Sequence, residues 1–283
     1  MLGQRIITAL LLLAVLLPAV FYPDTRVFAA ITVLLLAAAA WEWARLNGQS
    51  NPLAWFSGAI FALCCIGFWM QGGVDDAVGR YHWVWSIAAL VWVLGGAWLL
   101  RGGVPAWSGL PVALRWPLGW LALAVAWLAV NQARALGVNF LFSVLALVWV
   151  ADSAAYFSGR ALGGRFFARK LAPSISPGKT WEGVCGGMLG VLVLAWVWHQ
   201  ADVHFGLPPS IYTHLWSQSG MLLLLGGVFL TAMSVVGDLV ESLFKRSAGV
   251  KDSSALLPGH GGVLDRIDAL LPTLPIAMML MQR

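Results

Sequence analysis

The feature that most constrains this chain is a series of long apolar runs. A helix that crosses a bilayer needs about 20 mostly apolar residues. About nine segments approach that length: 6–22, 28–46, 53–71, 82–100, 116–132, 138–158, 183–199, 219–240 and 264–281. No stretch shows the period-two alternation of a half-buried strand. The runs therefore predict an all-α polytopic membrane protein. Composition agrees, since the chain is 60% hydrophobic and only 10% charged, whereas a soluble domain carries about 25% charged residues. Pro117, Pro272 and Pro275 fall inside runs. Spanning helices tolerate proline where neighbours satisfy the freed backbone groups. The first run follows Arg5, as in a signal peptide. Its length, and the lack of a small-residue cleavage site, predict a retained helix instead.

In such a chain the formal charge of +5 reports topology rather than a nucleic-acid partner. Nine crossings place the termini on opposite sides. The N-terminus and the loops after even-numbered runs hold 12 basic residues: Arg5, Arg45, Arg101, Arg115, Arg160, Arg165, Arg169, Lys170, Lys179, Lys245, Arg246 and Lys251. The other side holds 4: Arg26, Arg80, Arg134 and Arg283. The positive-inside rule puts the first group in the cytoplasm. Trp41, Trp43, Trp69, Trp83, Trp98, Trp181, Trp198 and Trp216 fall near run ends, as in an interfacial aromatic belt. Cys64, Cys65 and Cys185 lack metal-ligand spacing and read as small buried hydrophobes.

The polar residues crowd into the C-terminal half. This divides the chain into an expected scaffold, 1–135, and a catalytic part, 136–283, with cytoplasmic loops at 159–182 and 241–263. The first five runs carry almost no intramembrane charge. They read as lipid-facing scaffold or as a wall of the substrate cavity. The densest polar stretch is SLFKRSAGVKDSSALLPGHGGVLDRID, residues 242–268. Ionisable residues between membrane-length runs are costly and mark functional sites. Asp238, Glu241, Ser242 and Lys245 follow i, i+3, i+4, i+7 spacing, so a continuous helix puts them on one face. A solvated helix end is the plainer reading of that spacing, but it leaves Asp265 and Asp268 unexplained. Those two open the next run after Pro258-Gly259-His260-Gly261-Gly262. Glycines let backbone approach a ligand closely, and N–H groups before a helix start suit an anion. Flanked by Lys251-Asp252 and Asp265-Arg266, the turn reads as a site for phosphate plus metal. Magnesium prefers carboxylate oxygens together with substrate phosphates, so Asp238 and Asp265 are the expected metal pair. His260 is either an acid–base group or a structural turn residue.

A second polar loop runs from Asp152 to ISPGKTWEG. Gly178-Lys179-Thr180 is not a P-loop, because Pro173 stands where that motif needs glycine and no strand precedes it. Ser176, Lys179, Thr180 and Glu182, with Arg160, Arg165, Arg169 and Lys170, form either a positive-inside loop or a clamp for phosphates.

Together these stretches closely resemble the phosphatidate cytidylyltransferase (CDP-diacylglycerol synthase) signature. The resemblance rests on Ser242-x-x-Lys245-Arg246, Lys251-Asp252 and Pro258-Gly259-His260-Gly261-Gly262-x-x-Asp265-Arg266-x-Asp268. Upstream it takes in Asp152-x-Ala154-Ala155-Tyr156 with Gly159-Arg160, Ser176-Pro177 with Lys179-Thr180-x-Glu182-Gly183, and Gly237-Asp238 with Glu241-Ser242. It spans about residues 150–270. It implies an all-helical enzyme of a bacterial-type cytoplasmic membrane, homodimeric, with its site facing the cytoplasm. The implied reaction joins CTP and phosphatidic acid into CDP-diacylglycerol and pyrophosphate. Divalent metal, Mg2+ or Mn2+, is implied at Asp238 and Asp265, with a monovalent cation such as K+ as a further expectation. Lys179 and Lys245 join those aspartates as catalytic residues. Asp152, Tyr156, Arg160, Ser176, Thr180, Glu182, Glu241, Ser242, Arg246, Lys251, Asp252, Gly259, His260, Gly261, Gly262, Arg266 and Asp268 are the expected substrate contacts. Two alternatives stand beside this reading. One is a transporter, which the one-sided charge and the lack of paired halves disfavour. The other is a sibling enzyme acting on a different lipid phosphate.

Overall fold

The computed structural model describes residues 2–74 and 80–282; Arg283, used above as a topology marker, lies outside them. Eleven helices follow one another: α1 (Leu2–Phe21), α2 (Thr25–Leu46), α3 (Asn51–Met70), α4 (His82–Ser108), α5 (Val112–Leu136), α6 (Val138–Leu162), α7 (Trp181–Phe205), α8 (Ile211–Gln218), α9 (Gly220–Ser247), α10 (Leu264–Ile267) and α11 (Leu270–Met281). Among the described residues there is no strand, only two isolated bridges, Ala172 with Ser176 and Leu257 with Gly261. Eight helices, α1 to α7 and α9, are long and apolar enough to cross a membrane.

The ninth expected span is not among these eight. Its run is split at Asp268-Ala269 into α10 and α11. At 12 residues, α11 reaches only about 18 Å, short of a hydrocarbon core of about 30 Å. Residues 271–278 of α11 are buried without a break, so it is a core element rather than a lipid-facing one. A helix apolar all round belongs in such a place. α8 is an element the apolar runs did not signal.

Close helix approach sets the rest. A Cβ on Gly183 or Gly187 of α7 would stand 2.9 Å from the backbone oxygen of Ala155 or Ala151. Small residues let α6 and α7 touch backbone to backbone, which brings Asp152 level with the loop that ends at Thr180. At the far end of α7, buried Asp202 accepts from Ser210 N–H at 3.0 Å, Thr213 Oγ at 2.6 Å and Asn139 Nδ2 at 2.8 Å, fixing α8 against α6 and α7. At that same side Arg134 Nη2 donates to the Tyr22 carbonyl at 3.1 Å.

The tryptophan belt is partly corrected. Trp41 and Trp43 are buried, whereas Trp83, Trp98, Trp181 and Trp216 are exposed. Trp43 packs with Trp107 and Phe244 at ring separations of 5.6 and 5.1 Å, joining α2, α4 and α9. Of the cysteines only Cys65 is buried; Cys64 and Cys185 lie on the outer surface. The first five helices are more than a shell. α2, α4 and α5 wall an apolar cavity of about 450 Å³, whose lining includes Trp43, Trp92, Trp107, Leu123, Glu241 and Phe244.

Candidate active site

α9 runs unbroken to Ser247, so Asp238, Glu241, Ser242 and Lys245 do share a face. Ser242 Oγ donates to Asp238 Oδ1 at 3.3 Å, and Lys245 Nζ lies 2.6 Å from Glu241 Oε2. Gly237 decides what that face meets. A Cβ there would stand 2.5 Å from the Asp268 carbonyl oxygen and 2.9 Å from Pro272 Cγ. Without a side chain, α9 can lie against the α10–α11 junction, and Asp238 comes beside Asp268.

Two polar nodes result. In the first, Lys179 pairs with Asp238, and both side chains stay partly open, 25% and 29% exposed. Asp152 of α6 and Asp268 lie within electrostatic reach of Asp238, and Arg266 within reach of Asp152. In the second, Lys245 Nζ is also 2.6 Å from Asp265 Oδ1. The other oxygen, Asp265 Oδ2, accepts from Gly262 N–H at 2.7 Å, Ser253 N–H at 2.9 Å and Ser253 Oγ at 3.0 Å. Burial works against the Asp265 charge, but Lys245 and the Gly262 N–H outweigh it and hold its pKa below the usual carboxylate range.

Sequence reasoning missed one residue beside these nodes. Glu42 of α2 is completely buried. It accepts from Val263 N–H at 2.9 Å, Leu264 N–H at 2.7 Å, Ser254 Oγ at 2.5 Å and Ser253 Oγ at 3.2 Å. The signal was present: Glu42 is the one acid between positions 28 and 46, and a lone acid in an apolar run is costly unless it has partners.

Glu42 and Asp265 change the reading of the glycine turn. The N–H groups of Gly262, Val263 and Leu264 serve these two carboxylates, so they do not form the expected open cradle for phosphate. The glycines have protein neighbours too. A Cβ on Gly259 would meet Arg5 Cγ at 2.8 Å, and one on Gly261 would meet Asp265 Oδ2 at 2.7 Å. A Cβ on Gly262 would meet Ser253 Oγ at 2.0 Å and Glu42 Oε1 at 2.4 Å. Positive φ at Gly259 and Gly261, 76° and 82°, adds a second reason for glycine at those two positions. His260 is half-buried, and its N–H closes the turn on the Leu257 carbonyl at 2.8 Å.

The second loop divides in the same way. Glu182 is buried, and its Oε1 accepts from the N–H groups of Gly164, Phe166 and Phe167 at 3.0, 3.1 and 3.1 Å. That oxygen shapes the turn after α6 instead of facing a substrate. Thr180 caps α7 by accepting from Gly183 N–H at 3.1 Å. Ser176 joins the turn before Lys179, whose N–H reaches the Ser176 carbonyl at 3.2 Å. Arg246 Nε donates to the Ile175 carbonyl at 3.3 Å and ties this loop to α9. Asp152, Tyr156, Arg160, Lys251, Asp252 and Arg266 are exposed, and Arg160 Nη1 donates to the Tyr156 hydroxyl at 3.1 Å.

The fit to a divalent cation differs between the two expected ligands. Among the described residues, no three His, Cys, Asp or Glu side chains converge as a ready metal site. Magnesium needs only one or two carboxylates beside water and phosphate oxygens. Asp238, part-exposed and near Asp152 and Asp268, fits that role. Asp265 fits poorly, because a lysine and three N–H or O–H donors already occupy its oxygens.

Comparison with known proteins settles what kind of chain carries this arrangement. A model described as the cytidylyltransferase family matches residues 3–283. The chain belongs to that family. It is 39% identical to a phosphatidate cytidylyltransferase of Pseudomonas aeruginosa, over 98% of this chain and 95% of the relative. It is 38% identical to one of Haemophilus influenzae, over 97% and 96%. Membership of the cytidylyltransferase family thus extends through α1 to α5, where the motifs quoted above gave no hold, and takes in the helix that carries Glu42.

Proposed function

We propose that the chain transfers a cytidylyl group from CTP to phosphatidic acid, giving CDP-diacylglycerol and pyrophosphate for phospholipid synthesis. The observation that carries this reading is the pair of lysines from separate segments, Lys179 held by Asp238 of α9 and Lys245 held by Glu241 of α9 and Asp265 of α10. Two positioned ammonium groups suit a reaction between two phosphate-bearing substrates. The names of the two near-full-length relatives support the same reaction.

A phosphatidate oxygen attacks the α-phosphorus of CTP, and pyrophosphate leaves. Such transfer is mostly positioning and neutralisation of charge. Phosphatidate is already an anionic nucleophile, so the chain needs no strong general base. Lys179 and Lys245 hold phosphate oxygens, and Arg246, Arg266, Arg160 and Lys251 add positive field around them. Asp238, with Asp152 or Asp268, would hold Mg2+ or Mn2+, which supplies charge neutralisation between phosphate oxygens when bound. K+ belongs to the same proposal as an assisting ion. Residues 136–283 carry the chemistry, while 1–135 form the scaffold.

The site faces the cytoplasm of a bacterial-type inner membrane, on the basic side of the molecule. Residues 264–281, α10 and α11 together, make the last passage, so the termini lie on opposite sides and the crossings number nine. The working unit is a homodimer. The reading is tested by purified protein with labelled CTP, Mg2+ and a panel of lipid acceptors. Labelled CDP-diacylglycerol from phosphatidate is expected. Transfer only to an isoprenoid phosphate would replace the acceptor, and ion flux without nucleotide turnover would replace the whole reading.

A further inference from the structure

We infer that Glu42, a residue of the N-terminal scaffold, is the positioning residue of the catalytic loop. From within the membrane bundle it holds the 253–264 segment in the shape that aims Asp265 and Lys245. The inference rests on the cytidylyl-transfer reading of that site.

Start with cost. Glu42 is 0% exposed, on a helix of mean hydropathy 1.9. A buried carboxylate is destabilising unless it is paired and hydrogen-bonded, and replacing such groups with apolar residues often leaves a fold as stable or more so. A packing role alone would be met by leucine. What the acid does instead is specific. Both of its oxygens accept one backbone N–H and one serine hydroxyl each, at 2.5 to 3.2 Å. The four donors lie on residues 253, 254, 263 and 264, the two ends of one loop more than 200 positions away. One side chain therefore closes that loop.

Next, follow what the closure reaches. Ser253 Oγ stands between the two carboxylates, 3.2 Å from Glu42 Oε2 and 3.0 Å from Asp265 Oδ2. Asp265 in turn receives Lys245 Nζ at 2.6 Å. The path from the scaffold helix to the ammonium group is thus Glu42, Ser253, Asp265, Lys245. Ser253, the link between the two carboxylates, lies in the segment between α9 and α10, with no helix of its own to stiffen it. Gly262 shows the same constraint, since its missing Cβ is the space that the Glu42 carboxylate fills.

Glutamine keeps the size of Glu42 but must present an NH2 to donors at one of its two oxygen positions. Glu42→Gln should release one pair of contacts and let the loop drift. A misplacement near 1 Å costs about 100-fold in rate, so kcat should fall about 100-fold while KM for CTP stays within about threefold. Thr32→Val is the control. Thr32 is buried on the same helix and touches Asn131 but not the loop. It should lower Tm and leave kcat of the folded enzyme unchanged.

The tests use purified, detergent-solubilised full-length enzyme, assayed well below each variant's Tm. The readout independent of turnover is hydrogen exchange at the Val263 and Leu264 amides. It should rise at least tenfold in Glu42→Gln and not in Thr32→Val. If Glu42→Gln fails to fold, Ser254→Ala removes a single donor and should give the same pattern in milder form, about fivefold in kcat. Full turnover in the folded variant, or a loss that merely follows Tm, overturns the positioning role. So does unchanged exchange at those amides. Failure of the wild-type enzyme to use CTP would strike the cytidylyl-transfer reading, and the exchange result would still decide whether Glu42 holds the loop.

Discussion

Asp238 and Asp265 look alike in the sequence, three residues from a second acid in each case, yet they meet different surroundings. Asp238 keeps part of its carboxylate open beside Lys179. Asp265 is nearly closed off, at 4% side-chain exposure, by Lys245 and by its own loop. Asp238→Asn should therefore lower turnover by about three orders of magnitude, the scale of losing a main electrostatic stabiliser, with Tm almost unchanged. Asp265→Asn should lose turnover and also stability, since an amide would turn a donor toward Ser253 or Lys245 and forfeit about 1–3 kcal/mol. Parallel kinetics and thermal melts check both, and equal Tm for the two variants would contradict the difference. The glycines belong at the same scale. Gly261→Ala forces a Cβ to 2.7 Å from Asp265 Oδ2 at a φ of +82°, so rate and Tm should fall together. Gly95→Ala is the neutral comparison, because nothing lies within 4 Å of that position. The residue types were legible in the sequence, but what they touch was not. A glycine-rich turn before a helix looks identical whether its N–H groups await a phosphate or already serve a carboxylate from another helix.

At the scale of elements, apolar length found α1 to α7 and α9 because a bilayer imposes it. The ninth run shows the limit of that signal. Length and hydropathy cannot separate a lipid-facing span from a helix buried all round, and α11 is the second kind. Its split from α10 falls at Asp268-Ala269, where the polar residues of the site need a turn. The contact that fixes this split is the α9 crossing at Gly237. Gly237→Ala would push a methyl group into the Asp268 carbonyl and Pro272. Overpacking of this kind costs about 1–3 kcal/mol, and it moves Asp238 away from Asp268. The expected result is a lower Tm together with a rate loss larger than Gly227→Ala gives on the same helix, where the nearest contact is the flexible end of Leu192 at 3.3 Å. Matching rate losses in the two variants would mean that the crossing does not set the site.

At the scale of the molecule, contacts between distant segments join several of the groups that counting placed together. Thr8 Oγ donates to the Pro258 carbonyl at 3.0 Å, which seats the start of α1 on the glycine-rich loop. Arg115 stacks over Trp107, whose ring lies 4.2 Å from Phe244 near the end of α9. Lys179 and Arg246 tie the second loop to α9. Arg134 instead holds the α1–α2 turn, at the other end of α1. Alternation of apolar runs is what sorts the basic residues in the sequence, because each crossing reverses the side. The use of α2 as a wall of the site was not legible, since it depends on which helices become neighbours rather than on their order. The sidedness has a direct test. In a chain freed of its native cysteines, single cysteines replace three exposed residues, Gln4, Lys251 and Leu207. An impermeant thiol reagent applied to oriented vesicles should label Gln4→Cys and Lys251→Cys from one face and Leu207→Cys from the opposite face, and the first face should be the one to which CTP must be added for turnover. Labelling of Gln4→Cys and Lys251→Cys from different faces would break the contact between α1 and the loop, and with it one of the two reasons for Gly259 to be a glycine.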